Sequence, residues 1–136
     1  MQIIAYLNFN GNCEEAFQFY EKALRGNIKG LFRHEGSPME NQVPAEWKSK
    51  VMHVALEVGD QWLYGSDAPP NYYQKPAGIS VSLNMTDPAE AERLYKAMTN
   101  GGKVTMELQE TFWAHRFAMF TDKFGIPWMI NCSKPM

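Results

Sequence analysis

The densest chemistry in this chain lies between Phe112 and Phe117, where three rings, an imidazole and a guanidinium are contributed by Phe112, Trp113, His115, Arg116 and Phe117. Such a mixture stacks on a planar ligand and neutralises a carboxylate or phosphate. Trp113, His115 and Arg116 are therefore candidate ligand contacts in the turn before a strand. Aromatic residues beside a turn also act as core plugs, and Arg116 has an acid, Asp122, with which to pair. His53 is the second candidate. Alternation along Val51 to Val58 sets Met52, Val54, Leu56 and Val58 against His53, Ala55 and Glu57. An imidazole on that face suits a general base or a hydrogen-bond donor to a substrate. It equally suits a structural histidine, because strand residues four apart are about 13 Å from each other, too far for Glu57 to pair with it. His34, at the edge of a polar loop, reads as a solvated surface residue. Tyr6, Trp62, Tyr64 and Trp128 are further candidate ligand contacts, each of which also reads as ordinary core. Cys13 and Cys132 have no adjacent base and no Cys or His at metal-ligand spacing, so both read as idle thiols.

The elements that must position these residues are written twice. Leu7-Asn8-Phe9, Glu15-Ala16, Tyr20 and Gly26-Asn27 return in the same order as Leu83-Asn84-Met85, Glu90-Ala91, Tyr95 and Gly101-Gly102. A repeated supersecondary unit cannot bury its own apolar face, so each half needs a partner surface. Ile3 to Phe9 alternates as a half-buried strand. Asn12 then caps a helix, Glu15 reaches back, and Cys13, Ala16, Phe17, Tyr20, Ala23 and Leu24 form its apolar stripe until Gly26 ends it. In the second half Ile79 to Met85 is the strand, Asp87 the cap and Pro88 the first helical residue, with Glu90 as the capping-box partner. Ala91, Leu94, Tyr95 and Met98 form the second stripe, and Gly101-Gly102 stops it. The other strands are expected at Ile28 to Arg33, Val51 to Val58, Trp62 to Ser66, Val104 to Leu108, Phe117 to Thr121 and Pro127 to Cys132. The fold class is thus α+β, two βαβββ modules in a single domain 1–136: module 1–67, linker 68–78 and module 79–136. The stretch 34–50, with Gly36, Pro38 and Pro44, has no counterpart of equal length in the second half and is expected to be a long loop, mobile or a lid.

Composition narrows the function classes. The chain has 136 residues, 45% of them hydrophobic, enough to bury one sizeable core. Its 13 Lys and Arg are scattered among 15 acids for a net charge of -2, which gives no basic surface for nucleic acid. The sequence shows neither an apolar run of about 20 residues nor a signal core, so a cytoplasmic protein with no membrane partner is expected.

Several blocks resemble a known family: Tyr6-Leu7 with Phe9 and Gly11, Glu14-Glu15-Ala16 with Phe19-Tyr20, Met52-His53, Ser66-Asp67, Gly101-Gly102, Thr111-Phe112-Trp113, and Asp122-Lys123-Phe124-Gly125-Ile126-Pro127-Trp128. The pattern, end to end, is similar to the vicinal oxygen chelate superfamily of glyoxalase I, bleomycin-resistance proteins and extradiol dioxygenases, and within it to the PhnB-like branch. The resemblance implies curved sheets whose concave faces enclose a cavity (the glyoxalase/bleomycin-resistance fold), and a homodimer. It also implies a divalent ion held by His, Gln or Glu from four strands. Here those positions fall at Tyr6 or Ala5, at Leu63 or Tyr64, at Ser82 and at Met129, none an imidazole or carboxylate. A protein without metal or other cofactor is therefore expected. Some members of the branch carry a 3-demethylubiquinone-9 3-methyltransferase label, yet the chain lacks the Gly-rich strand-to-helix turn of a nucleotide-binding parallel sheet. Two functions remain open. One is a protein that binds a small aromatic or anionic molecule in the cavity, through Tyr6, His53, Trp62, Tyr64, Trp113, His115, Arg116 and Trp128. The other is a metal-independent lyase or isomerase using His53, His115 or Tyr6 as acid or base.

Overall fold

A computed structural model describes residues 1–134; Pro135 and Met136, the end of the expected second module, lie outside the described residues. The chain divides into two compact units, the first ending at Gln74 and the second starting at Lys75. In the first, β1 (Ala5–Phe9) is followed by α1 (Cys13–Ala23), β2 (Asn27–Arg33), β3 (Val51–Val58) and β4 (Gln61–Asp67). In the second, β5 (Val81–Met85) is followed by α2 (Pro88–Thr99), β6 (Lys103–Gln109), β7 (Ala114–Thr121) and β8 (Pro127–Ser133). Each unit is one four-stranded mixed sheet with one helix, ordered β1-β4-β3-β2 and β5-β8-β7-β6. The pair β1·β4 is parallel, as is β5·β8, and the other pairings are antiparallel. Neither sheet closes into a barrel.

Each helix covers one face of its sheet. In the first unit Leu7, Phe9, Val54, Leu56 and Leu63 pack with the helical stripe Cys13, Ala16, Phe17 and Tyr20, all 8% exposed or less. The rings of Phe9, Phe17 and Tyr20 meet edge-on or tilted, with centroids 5.5–6.5 Å apart. In the second unit Ala118, Phe120, Trp128, Ile130 and Cys132 are buried, as are Ala91, Leu94 and Met98 of α2. Period-two strands and a helical stripe from one amphipathic sequence produce this layering, and the opposite face of each sheet is left for function.

Two caps differ from expectation. Asn12 makes no side-chain cap to α1. The Asp67 carboxylate does that work, accepting from Gly11 N and Cys13 N at 2.9 Å and from Val51 N at 3.0 Å, a long-range cap that ties α1, β3 and β4 together. Asp87 caps α2 as expected, accepting from Ala89 N at 3.0 Å. Nor does Gly26 end α1 by its own conformation, since the left-handed residue is Arg25 (φ 55°). Gly26 is needed for space, because a Cβ there would lie 2.5 Å from the Glu57 carbonyl oxygen. The repeat thus aligns Arg25 with Gly101 (φ 79°), and Gly26 with Gly102, whose Cβ would strike the Thr121 carbonyl oxygen.

The stretch 34–50 contains two short 3-10 turns, Glu40–Gln42 and Ala45–Trp47. Its base is closed by Glu35 N donating to Lys48 O at 2.8 Å and His34 N to Lys50 O at 3.1 Å, and Trp47 is 7% exposed. His34, expected at the surface, is 8% exposed, because this closure turns it inward.

Candidate functional site

The open face of the first sheet gathers the aromatic and ionisable residues expected there. Register places Tyr6 opposite Tyr64, Tyr64 opposite Ala55, Trp62 opposite Glu57, and His53 opposite Phe32. Their side chains therefore share the face away from Val54, Leu56 and α1. Tyr6 Oη is 3.1 Å from His53 Nδ1, a hydrogen bond between residues 47 apart in sequence. The His53 ring lies 5.1 Å from Tyr64 and 5.7 Å from Tyr6, and Tyr64 meets Trp62 edge-on at 6.2 Å. Such tilted and edge contacts are among the preferred arrangements for rings. Tyr6 is 46% exposed and Phe32 59%, so the surface is open. At its rim Ser66 Oγ is 3.5 Å from Asn8 Oδ1, and Glu57 is met by Lys29 at 3.8 Å.

The positions at which the resemblance implies a metal fall on paired strands. Tyr6 and Tyr64 stand opposite each other in the first sheet, and Ser82 opposite Met129 in the second. Ala5 and Leu63 belong to the other parity. Among the described residues no three His, Cys, Asp or Glu side chains are grouped to hold a metal ion. Two phenols, a hydroxyl and a thioether do not fit a divalent ion that must be retained against water.

In the second unit the structure separates residues that the sequence placed together. Ala114 to Phe117 are strand, not turn: β7 starts at Ala114, and a register shift between Ala114 and Arg116 leaves His115 as the extra residue. Phe117 pairs with Asn131 on the open face but is buried, with Trp113 meeting it edge-on at 5.3 Å and Phe112 meeting Trp113 at 4.9 Å. Arg116 has the opposite parity. It pairs with Cys132, and its Nε lies 3.5 Å from Glu92 Oε1 of α2, not at Asp122. Asp122 is 3% exposed and accepts from Phe124 N, Ile126 N and Trp128 Nε1 at 2.8–3.0 Å. Trp128 is 1% exposed, a core residue on the helix side of its sheet. On this open face Asn84 Oδ1 accepts from Ser82 Oγ and Asn131 Nδ2, each at 3.2 Å, and of these three only Ser82 was a candidate from the sequence. Asn84 repeats Asn8 in the duplicated strand, which was the signal that could have found it.

Burial raises the thiol pKa of both cysteines, strongly for Cys13, where Asp67 and Glu14 add to the effect, so neither is poised as a thiolate. A recess of about 440 Å³ at the base of the 34–50 stretch is lined by Leu31, Phe32, Arg33, Glu35, Pro38 and Met52, among others. Its guanidinium is committed to Glu14 by two hydrogen bonds of 2.9 and 3.0 Å, which hold the Glu14 carboxyl below its ordinary pKa.

The model of a family described as 3-demethylubiquinone-9 3-methyltransferase matches residues 1–131. The crystal structure of protein PA1353 from Pseudomonas aeruginosa is 48% identical, with 99% of each chain covered and a TM-score of 0.90. Protein YjdN of Escherichia coli (strain K12) is 32% identical over 98% of this chain and 97% of its own length. A PhnB protein from Bacillus cereus is 21% identical, with 96% of this chain and 98% of that one covered and a TM-score of 0.77, and it shares the fold.

Proposed function

The chain belongs to the 3-demethylubiquinone-9 3-methyltransferase family, a PhnB-like member of the vicinal oxygen chelate superfamily with the glyoxalase/bleomycin-resistance fold, and from that premise we propose that it binds a small planar aromatic molecule. The ligand lies on the open face of the first sheet. One observation carries this reading: Tyr6, His53, Tyr64 and Trp62, drawn from three strands, converge there as a partly exposed aromatic surface with a hydrogen-bonding pair inside it. Stacking supplies affinity, and the pair fixes orientation. Arg116, engaged by Glu92 on the helix side, has no part in holding an anionic end.

The family's description does not carry its reaction into this chain. Transfer from S-adenosylmethionine on a nucleotide-binding sheet needs free backbone donors at a Gly-rich helix start, and here Gly11 N and Cys13 N are taken by Asp67. In the same way the metal positions are part of the proposal: the protein holds no catalytic ion at Tyr6, Tyr64, Ser82 and Met129. Melting in Zn(II), Mn(II), Ni(II) or Fe(II) is expected to match melting in chelator, and a stabilisation that saturates at one ion per chain contradicts it.

A second reading has its own support. The Tyr6–His53 bond places two titratable groups in proton-transfer reach, as a metal-independent lyase or isomerase would need. A screen of aromatic metabolites and antibiotics by indole fluorescence tests both readings. Binding lost in Trp62→Phe and Tyr64→Ala, with the compound recovered intact, supports the binding protein. Turnover lost in His53→Gln and Tyr6→Phe supports the enzyme.

A further inference from the structure

Resting on the first sheet's open face as the ligand seat, we infer that its ligand carries an acidic aromatic hydroxyl, which the Tyr6–His53 pair reads by taking its proton. Tyr6 Oη and His53 Nδ1 are 3.1 Å apart, and either group can be the donor. When Tyr6 donates to Nδ1, the phenol oxygen keeps lone pairs for a ligand O–H. When Nδ1 carries the proton, the Tyr6 O–H is released to donate to a ligand oxyanion. A carbonyl ligand can use only the second state, whereas a hydroxyl can use both.

The charge inventory points the same way. Glu57, the carboxylate on this face, is met by Lys29, and Arg116 is held by Glu92 on the helix side of the other sheet. His53 is thus the group on the face that becomes a cation by gaining a proton. Proton bookkeeping closes: the ligand O–H bond breaks as its proton passes to Tyr6 Oη, and the original Tyr6 proton passes to Nδ1. The products are a ligand phenolate, an intact Tyr6 phenol and a His53 imidazolium. The phenolate then accepts a hydrogen bond from Tyr6, which is itself held by the imidazolium. Tyr64 and Trp62, edge-on to each other at 6.2 Å, supply the surface on which the ring rests. The ligand arrives neutral and is held as an anion, so no arginine is required.

The test uses para-nitrophenol, whose absorption reports its ionisation, and para-nitroanisole, which has the same ring and no acidic proton. At a pH where free para-nitrophenol is neutral, the bound compound is expected to show the phenolate spectrum. It is also expected to bind about tenfold more tightly than para-nitroanisole, the ratio for one charge-assisted hydrogen bond. In Tyr6→Phe and His53→Gln, with melting checked to show folding, the phenolate spectrum and the tenfold preference both disappear while para-nitroanisole binding remains. His53→Asn serves in place of any variant that fails to fold. A neutral-phenol spectrum in the bound wild type, or a phenolate spectrum that survives loss of His53, overturns the inference while leaving the aromatic seat standing. Failure of both compounds to bind overturns the seat and the inference together.

Discussion

Arg116 shows that a residue's chemistry is decided by the face on which it lands. In the sequence it stands beside Trp113 and His115 as an anion anchor; in the fold it has the parity of Cys132, and its guanidinium meets Glu92. Arg116→Ala is therefore expected to leave affinity for an aromatic ligand unchanged and to cost less than about 1 kcal/mol of stability, the range for a solvent-exposed ion pair. Unequal ligand affinity in the variant, measured by titration, contradicts that placement. Parity explains which candidates were legible. His53 was legible on the face away from Val54 and Leu56 by alternation along that part of the strand, but its partner Tyr6 is 47 residues distant and no local pattern announces it. Trp128 could have been assigned to the core from the strand itself, since it alternates with Met129 and shares the buried side with Ile130 and Cys132. Arg116 has the parity of Ala118 and Phe120 in an unbroken register, and what hid its face was the reading of 112–117 as a turn instead of strand.

At the scale of elements, the close fit of α1 on the first sheet fixes the aromatic face by occupying the other side. At Gly65 of β4, between Tyr64 and Ser66, the Phe17 ring of the helix closes directly on the strand. A Cβ there would lie 2.5 Å from Phe17 and 2.9 Å from the Leu7 carbonyl oxygen. Gly65→Ala is thus expected to destabilise the protein by about 1–3 kcal/mol, the range for overpacking a core. An unchanged denaturation midpoint contradicts this. Element types and order were largely legible, since each half repeats one amphipathic helix and the same strands. Ends were less so: β7 begins at Ala114 instead of Phe117, because aromatic and basic residues that read as a turn pair with β8. The cap of α1 was hidden as well, since its carboxylate comes from Asp67 at the far end of β4.

At the scale of the molecule, a repeat of two units, each with one sheet face left uncovered by its helix, suits the homodimer that the family resemblance implies. Phe32, Val104 and Met106 are exposed apolar residues on the edge strands β2 and β6. Light scattering at micromolar concentration is expected to return twice the mass of one chain, and a monomer mass contradicts it. The central claim concerns the aromatic face, and the indole N–H resonances of Trp47, Trp62, Trp113 and Trp128 test it most directly. On titration with a stacking ligand such as para-nitroanisole, the Trp62 signal is expected to move progressively and saturate, while Trp128, buried against Asp122, stays in place. A Trp62 signal that stays fixed while another indole shifts contradicts the account.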